Sequence, residues 1–400
     1  MDEQSSLLTQ AIAEHRAGRL SEAGAHYEDI LRQAPEQPDA LHFLGMLRFQ
    51  QGQPVQAIEL LKRSLEAAPD NAYAWNNLGN MMVAGQRLEL AVEVYRRATS
   101  LEPRLTEAWH NLGTCLRHSR EPEEAARCFQ KAIELNPRYV PSYECFGMLL
   151  YRLNRIKDSA VLYRRWLEFD PENPVAQHMA AATSGEAVPD RAGDAYVASL
   201  FDKTASFFDQ NLAALGYRAP QLLVAALGDH VQFQSGRLDI LDAGCGTGLC
   251  GPLLRSTART LIGVDLSSGM IEKARERKVY DQLVVGELCA FMRSQPAKFD
   301  VVLSADTLCY FGALEEPLAA AKACLRPNGI LAFTVEALEG EHEGAGFRIE
   351  PHGRYVHTSP YIAECLRKAG FSVVALDAVA LRRELRKDVI GHLAIGRAGA

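Results

Sequence analysis

Pro35, Pro69, Pro103, Pro137 and Pro171 stand 34 residues apart, and this period constrains the first half of the chain more than any other feature. Gly45, Gly79, Gly113 and Gly147 run in phase with it, as do Ala23, Ala57, Ala91 and Ala125, with Ser159 in the fifth place. A bulky residue opens most units: Leu41, Trp75, Trp109 and Tyr143. Such a register predicts pairs of short helices. Small residues let the two helices of a unit approach, large ones fill the groove between neighbours, and proline ends each second helix because it lacks an N–H and clashes with the preceding turn. Coiled coil is the competing all-helical architecture, and a proline every 34 residues forbids its long helices.

The stretch WNNLGNMMVAGQRLELAVEVYRRATSLEP, beginning at Trp75, resembles a tetratricopeptide repeat, and residues 4 to 173 resemble five in succession. The resemblance implies an all-α solenoid whose concave face holds a peptide or a partner protein. Asn77 and Asn111 occupy equivalent places one repeat apart, followed by Asn80. They are candidates to bond a ligand's backbone there, the alternative being that asparagine is simply frequent at that position of the family. PVAQHMAAATS after Pro171 reads as a capping helix. The expected division is a repeat domain over 1–184, a linker over 185–195 and a second domain over 196–400, as a chain of 400 residues is too long for one core.

From about residue 195 short β-branched runs alternate with amphipathic stretches, which predicts a mostly parallel sheet covered by helices on both faces. Seven strands are expected, at 238–243, 260–265, 283–287, 299–305, 329–335, 371–381 and 388–396. The first runs into LDAGCGTGLCG, where Gly244, Gly246 and Gly248 leave backbone N–H groups bare for a ligand. The second ends at Asp265, a carboxylate placed to accept from both hydroxyls of a ribose. Gly286 and Glu287 close the third.

Two cofactors fit this much. Gly246, Gly248 and Gly251 satisfy a GxGxxG dinucleotide fingerprint, with Asp265 near its acidic position, which suits NAD. The order of the remaining motifs differs from that: Asp242 before GCGTG, then SSGMIEKAR, FDVVLSADTLCYF and LRPNGILAFTVE resemble the class I S-adenosylmethionine-dependent methyltransferases, with their Rossmann-like α/β domain. YVASLFDKTASFFDQNLAALGYRAPQLL, residues 196 to 223, resembles stretches in bacterial methyltransferases that carry tetratricopeptide repeats. The resemblance implies that Gly244, Cys245, Gly246 and Gly248 pass the methionine end of S-adenosyl-L-methionine, with Asp242 bracing the loop or reaching the amino group through water. It implies that Asp265 and Leu266 meet the ribose, that Met270 or Ile271 lies with Glu287 and Leu288 on the adenine, and that Ala305 lies under the reactive methyl. Packing is the alternative role for Cys245, Met270 and Leu288.

Methyl transfer from a sulfonium is an in-line displacement favoured by alignment and desolvation, and only acceptors that shed a proton need a base. Ser304-Ala305-Asp306-Thr307 lacks the [ND]PP[YF] signature of amide and exocyclic-base methylation. The connection over 337–358 is longer than usual and reads as a lid or substrate wall, with Gly340, Gly344, Gly346 and Gly353 as hinges and His342, His352, Arg348, Arg354 and Tyr355 as acceptor-facing candidates. His357, Tyr310 and Asp306 are the first choices for acceptor-side catalysis, with no metal.

A net charge of −7 without a basic patch argues against nucleic acid, and no apolar run is long enough for a membrane span. The nine cysteines are scattered without a C-x-x-C pair, and the first residues lack a signal-peptide pattern, so a cytoplasmic location with reduced thiols is expected. The expectation is therefore a methyltransferase whose repeats recruit a protein that is the acceptor or carries it. The alternatives are an adaptor with a cofactor-sensing or inactive fold, and a small-molecule enzyme whose repeats serve oligomerisation.

Overall fold

The computed structural model describes residues 3–117, 121–230, 236–338, 344, 346–384 and 387–399. The chain forms two compact units, Met1–Leu162 and Tyr163–Ala400.

The first unit holds helices α1 (Glu3–Arg16), α2 (Leu20–Gln33), α3 (Pro38–Gln50), α4 (Pro54–Ala67), α5 (Ala72–Ala84), α6 (Leu88–Leu101), α7 (Thr106–Leu116), α8 (Pro122–Leu135) and α9 (Val140–Arg152). The division falls inside α10 (Ile156–Phe169). The periodic residues do what their sizes predict. A Cβ on Gly45 would lie 2.3 Å from the Leu61 side chain, and one on Gly79 would lie 2.4 Å from the Tyr95 ring, so each pair of helices closes only over glycine. The period also fixes a repeated hydrogen bond. Trp75 Nε1 donates to Pro69 O at 2.9 Å, Trp109 Nε1 to Pro103 O at 3.0 Å and Tyr143 Oη to Pro137 O at 2.9 Å. Each proline thus stops one helix and leaves a carbonyl for the aromatic six residues on.

The second unit opens with α11 (Pro174–Ser184), α12 (Asp194–Thr204), a 3-10 turn at Ala205–Phe207, α13 (Phe208–Ala214) and α14 (Ala219–Gly228). The compact units divide earlier than the expected boundary at 184, and α11 counts with the second. His178 stacks on Tyr196 with ring centroids 3.9 Å apart, and its Nε2 lies 2.8 Å from Gly353 O.

Then follow β1 (Leu238–Ala243), α15 (Gly251–Leu254), β2 (Ala258–Asp265), α16 (Ser268–Glu276), β3 (Gln282–Val285), α17 (Leu288–Arg293), β4 (Phe299–Ser304), α18 (Glu315–Cys324), β5 (Leu325–Ala337), β6 (Phe347–Ile349), β7 (Tyr355–His357), α19 (Ser359–Lys368), β8 (Phe371–Glu384) and β9 (Lys387–Ala398). Strands β3, β2, β1, β4 and β5 lie side by side in that order and in parallel, and β9 runs antiparallel along β5 with β8 beyond it. Both faces of the parallel part are buried. Leu241, Val302, Leu331 and Phe333 enter one core, while Ile240, Leu261, Val301 and Leu303 enter the other. That accounts for strands that read as continuous apolar runs.

The expected seven strands are present, and two more raise the number among the described residues to nine. Strand β7 pairs in parallel with the end of β5 through Glu336 and Val356, and β6 pairs antiparallel with β7. At three residues each, neither is long enough to show a period in sequence. The expected mobile lid is thus largely sheet from Phe347 to His357, while its Gly340 and His342 lie outside the described residues.

Candidate active site

A cavity of about 340 Å³ opens at the C-terminal ends of β1, β2 and β4, where open parallel sheets bind ligands. Gly244 follows β1 directly at φ +78°, and a Cβ there would lie 2.2 Å from Thr307 Oγ1, so only glycine lets Thr307 reach across. Thr307 Oγ1 donates to Gly244 O at 3.1 Å. The N–H groups of Gly244 and Cys245 both donate to Val264 O, at 2.8 and 3.0 Å, which ties the loop to β2.

Asp265 completes the loop. Its Oδ2 accepts from Gly246 N at 2.8 Å and its Oδ1 from Ser267 N at 2.9 Å. Burial raises its carboxyl above the ordinary range, and the two backbone donors pull the other way. Glu287 caps α17 by accepting from Cys289 N at 3.0 Å and Ala290 N at 2.6 Å, and Arg191 Nη1 donates to it at 3.0 Å. Burial alone would raise this carboxyl, yet the amides and the guanidinium hold it below the usual range.

Gly244, Cys245, Gly246, Asp265, Leu266, Glu287, Leu288 and Ala305 all line the cavity. Four expected cofactor residues do not: Met270 and its alternative Ile271, both buried in α16, Gly248 and Asp242. Met270 is fully buried in α16, its N–H given to Ser267 Oγ, so it belongs to the core. Gly248 turns toward the Tyr280 ring, which lies 2.9 Å from where its Cβ would be. Asp242 sits behind the loop, with Tyr280 Oη donating to its Oδ2 at 2.6 Å and with Oδ1 buried and without a partner among the described residues. Burial pushes its carboxyl up to about 7, against the Tyr280 bond. The same Tyr280 ring would meet a Cβ on Gly251 at 2.8 Å and on Gly263 at 3.1 Å.

Asp306 and Tyr310 line the cavity, but His357 does not. His357 is fully buried on β7, its Nε2 lies 3.1 Å from Gly312 O, and burial lowers it to about 4, so it faces the core and not a ligand. Asp306 has φ +52°, donates its N–H to Thr334 Oγ1 at 2.9 Å, and accepts from that hydroxyl and from Arg382 Nη1, each at 2.9 Å. Arg382 continues to Glu336 and, through Nε at 2.7 Å, to Glu384. Arg354 joins the same two acids.

Sequence reasoning missed the roof and Arg382. Val197, Leu200, Phe201, Phe208, Leu212 and Tyr217 line the cavity from the segment before β1, held down where Asp202 accepts from Ser267 Oγ and Gly269 N and Asp209 accepts from Thr247 Oγ1. The spaced apolar residues of this stretch give no sign in sequence of which side they cover. In the repeats, Asn111 Nδ2 donates to Asn76 Oδ1 at 3.0 Å and Asn80 Oδ1 at 3.1 Å, and Asn77 Nδ2 lies 2.8 Å from His42 Nε2. Both candidate amides therefore already bond neighbouring helices.

A methyltransferase-domain family model matches residues 241–333, and tetratricopeptide-repeat models match 14–81, 72–105 and 106–139. The chain joins tetratricopeptide repeats to a methyltransferase domain. The cavity lies within the second unit, around the start of the matched methyltransferase segment. Among curated proteins, the malonyl-[acyl-carrier protein] O-methyltransferase of Salmonella typhimurium is 29% identical over 138 residues, 34% of this chain and 52% of the relative. Methyltransferase-like protein 27 of Homo sapiens is 34% identical over 165 residues, 39% of this chain and 62% of the relative. The chain thus spans about half to three fifths of these relatives. Of solved structures, that of MamA is 22% identical with a TM-score of 0.37, over 42% of this chain and 92% of the other. The Pseudomonas aeruginosa pilF structure is 20% identical with a TM-score of 0.43, over 53% and 96%. No helix among the described residues is long and apolar enough to cross a membrane.

Proposed function

We propose that the chain is an S-adenosyl-L-methionine-dependent methyltransferase whose repeats recruit a protein that is the acceptor or carries it. The observation that carries the reading is the convergence of Gly244, Gly246, Asp265 and Glu287 on one cavity from three separate strand ends, beside Ala305. Gly246 has open space where a Cβ would stand, so a ligand can lie on its backbone. Asp265 would accept the ribose hydroxyls with the lone pairs its two amide donors leave free, and Leu266 and Leu288 would flank the base. The bound cofactor supplies an electrophilic methyl group. The protein aligns the acceptor with it, and the apolar roof excludes water. The Salmonella typhimurium relative, whose name places its acceptor on a carrier protein, supports the carrier form of the reading.

Calorimetric titration of the full chain tests the cofactor. S-adenosylmethionine or its demethylated product should bind and NAD should not, and the product should raise thermal stability, by about 2.7 kcal/mol at a hundredfold excess over Kd. Asp265→Ala should weaken binding at least tenfold through loss of the charged acceptor. Preferential binding of NAD would overturn the assignment.

A further inference from the structure

One end of the cavity is polar and unused by the cofactor residues. Arg354, Arg382, Asp306 and Glu384 line it, and Tyr217 and Tyr310 reach it, Tyr217 feeling the charges of Asp306 and Arg382 and Tyr310 that of Arg354. No histidine or lysine lines the cavity among the described residues, so a proton acceptor there has to be an acid. Asp265 and Glu287 stand on the cofactor side, and Asp194 is paired with Arg191. Glu384 accepts from Arg354 and Arg382, which keep it below the ordinary range. Asp306 differs from all of these.

Asp306 stands just past β4, between Ala305 and Thr307, whose hydroxyl bonds the glycine loop at Gly244 O. Its φ of +52° is a conformation that residues with side chains seldom adopt, and Thr334 holds it there. The buried Thr334 hydroxyl accepts from Asp306 N and donates to Oδ1, each at 2.9 Å, and Arg382 Nη1 donates to Oδ2. One lone pair on each oxygen is left without a partner among the described residues, and the side chain keeps 15% exposure where that of Glu336 keeps 5%. Burial raises the carboxyl above the ordinary range in spite of Arg382 and Thr334, which makes it a stronger base than a solvated carboxylate. The hydroxyls of Tyr217 and Tyr310 have no protein partner among the described residues, and burial keeps both phenols protonated, as donors.

A free acceptor beside free donors matches a group that both donates and accepts, which a hydroxyl does and neither an ammonium nor a carboxylate does. We infer that Asp306 is a catalytic base and that the methyl acceptor is a phenol, its proton given to Asp306 and its oxygen met by Tyr217 and Tyr310; this rests on the methyltransferase reading. A phenol ionises at about pH 10 and is within reach of a buried carboxylate, whereas an alkanol holds its proton about as tightly as water does. Phe201 of the roof meets the Tyr310 ring edge-on, with centroids 5.5 Å apart, so the apolar wall for an aromatic body adjoins the donors. In the transfer the phenol's proton passes to an Asp306 oxygen as the phenol oxygen bonds the methyl carbon, and the carbon–sulfur bond breaks with its electron pair left on sulfur. Asp306 then gives the proton to solvent.

The test uses the full chain saturated with S-adenosylhomocysteine and four probes on one body: para-butylphenol, para-butylbenzyl alcohol, para-butylbenzylamine and para-butylbenzoate. Calorimetry should show the two hydroxyl probes binding at least tenfold more tightly than the two ions. With the methyl donor, the phenol should become its methyl ether and the benzyl alcohol should remain unchanged. Asp306→Asn should lower that rate at least hundredfold near neutral pH, leave the S-adenosylhomocysteine Kd within twofold, and recover as pH rises and the phenol ionises unaided. Around Asp306 the cations Arg354 and Arg382, the anions Glu336 and Glu384 and the protonated Tyr217, Cys250 and Cys309 keep their charge between about pH 5 and 9, so the difference between parent and variant reads Asp306. Tyr217→Phe with Tyr310→Phe removes no bond within the protein, so it should melt within a few degrees of the parent and weaken the phenol at least tenfold, which tests the site even where the asparagine variant fails to fold. Tighter binding of the amine or the benzoate, binding of none of the four, methylation of the benzyl alcohol alone, a folded asparagine variant whose deficit is absent or constant with pH, or an unaffected tyrosine pair would each overturn the inference. Failure of S-adenosylhomocysteine itself to bind would instead overturn the methyltransferase reading beneath it.

Discussion

Asp242 lies outside the cavity and meets the glycine loop through Tyr280. It is buried behind that loop, where among the described residues the Tyr280 hydroxyl is its side-chain hydrogen-bond partner. A carboxyl raised in the fold to about 7 favours folding most at low pH, and that contribution is lost as pH rises from the unfolded value near 4 through 7. Asp242→Asn should remove this trend. The unfolding free energy of the variant relative to the parent should therefore climb between pH 5 and 8, by an amount on the order of 2–4 kcal/mol at about 1.4 kcal/mol per pKa unit. A difference that does not change with pH would mean that Asp242 is ionised throughout. His357 works in the opposite sense, since a histidine lowered to about 4 loses its contribution as pH falls from 6.5 toward 4, and the paired comparison cancels it. The places of Gly244, Gly246 and Asp265 were legible in the sequence because turn and strand end dictate them, but the N–H groups expected to be bare are not: Gly244 gives its own to Val264 O, Gly246 to Asp265 and Gly248 to Cys245 O. His357 was misjudged because its direction depends on β7, whose pairing is not local.

At the scale of elements, the repeats were the most legible part of the molecule. Their register is written five times, and its contacts recur: an aromatic on the proline carbonyl at Trp75, Trp109 and Tyr143, and a glycine under a large side chain at Gly45, Gly79 and Gly113. Gly79→Ala tests this directly. Its methyl would enter the Tyr95 ring at 2.4 Å, so helices α5 and α6 must part or the ring must leave its rotamer, at a cost of about 1–3 kcal/mol. Gly52→Ala, with open space around it, meets only the strain of φ +74° and should cost about 1 kcal/mol. Circular dichroism melts of the two variants should rank them in that order. The second domain was legible in its parallel strands and glycine loop, whose apolar runs and turns are local. It was illegible in the roof and in the β8 arginine, which meet the cavity only through tertiary packing.

For the whole molecule, the proposed function assigns binding to the first unit and chemistry to the second, so each can be disabled by itself. Asn77→Ala with Asn111→Ala removes the amides that bridge α3, α5 and α7, and should reduce capture of a protein partner while leaving the cofactor titration unchanged. Asp265→Ala should do the reverse. Loss of cofactor affinity in the asparagine pair would show that the repeats act on the site beyond recruitment. The Tyr280 ring carries a different consequence. It fills the space left by Gly248, Gly251 and Gly263 at once, so residues from the loop, the helix start and β2 are tied to one side chain that none of them adjoins in sequence. These four positions are constrained together by packing. A chimaera that imports the LDAGCGTGLCG loop without a residue of matching shape at position 280 would receive the motif intact and lose the cradle that gives it form.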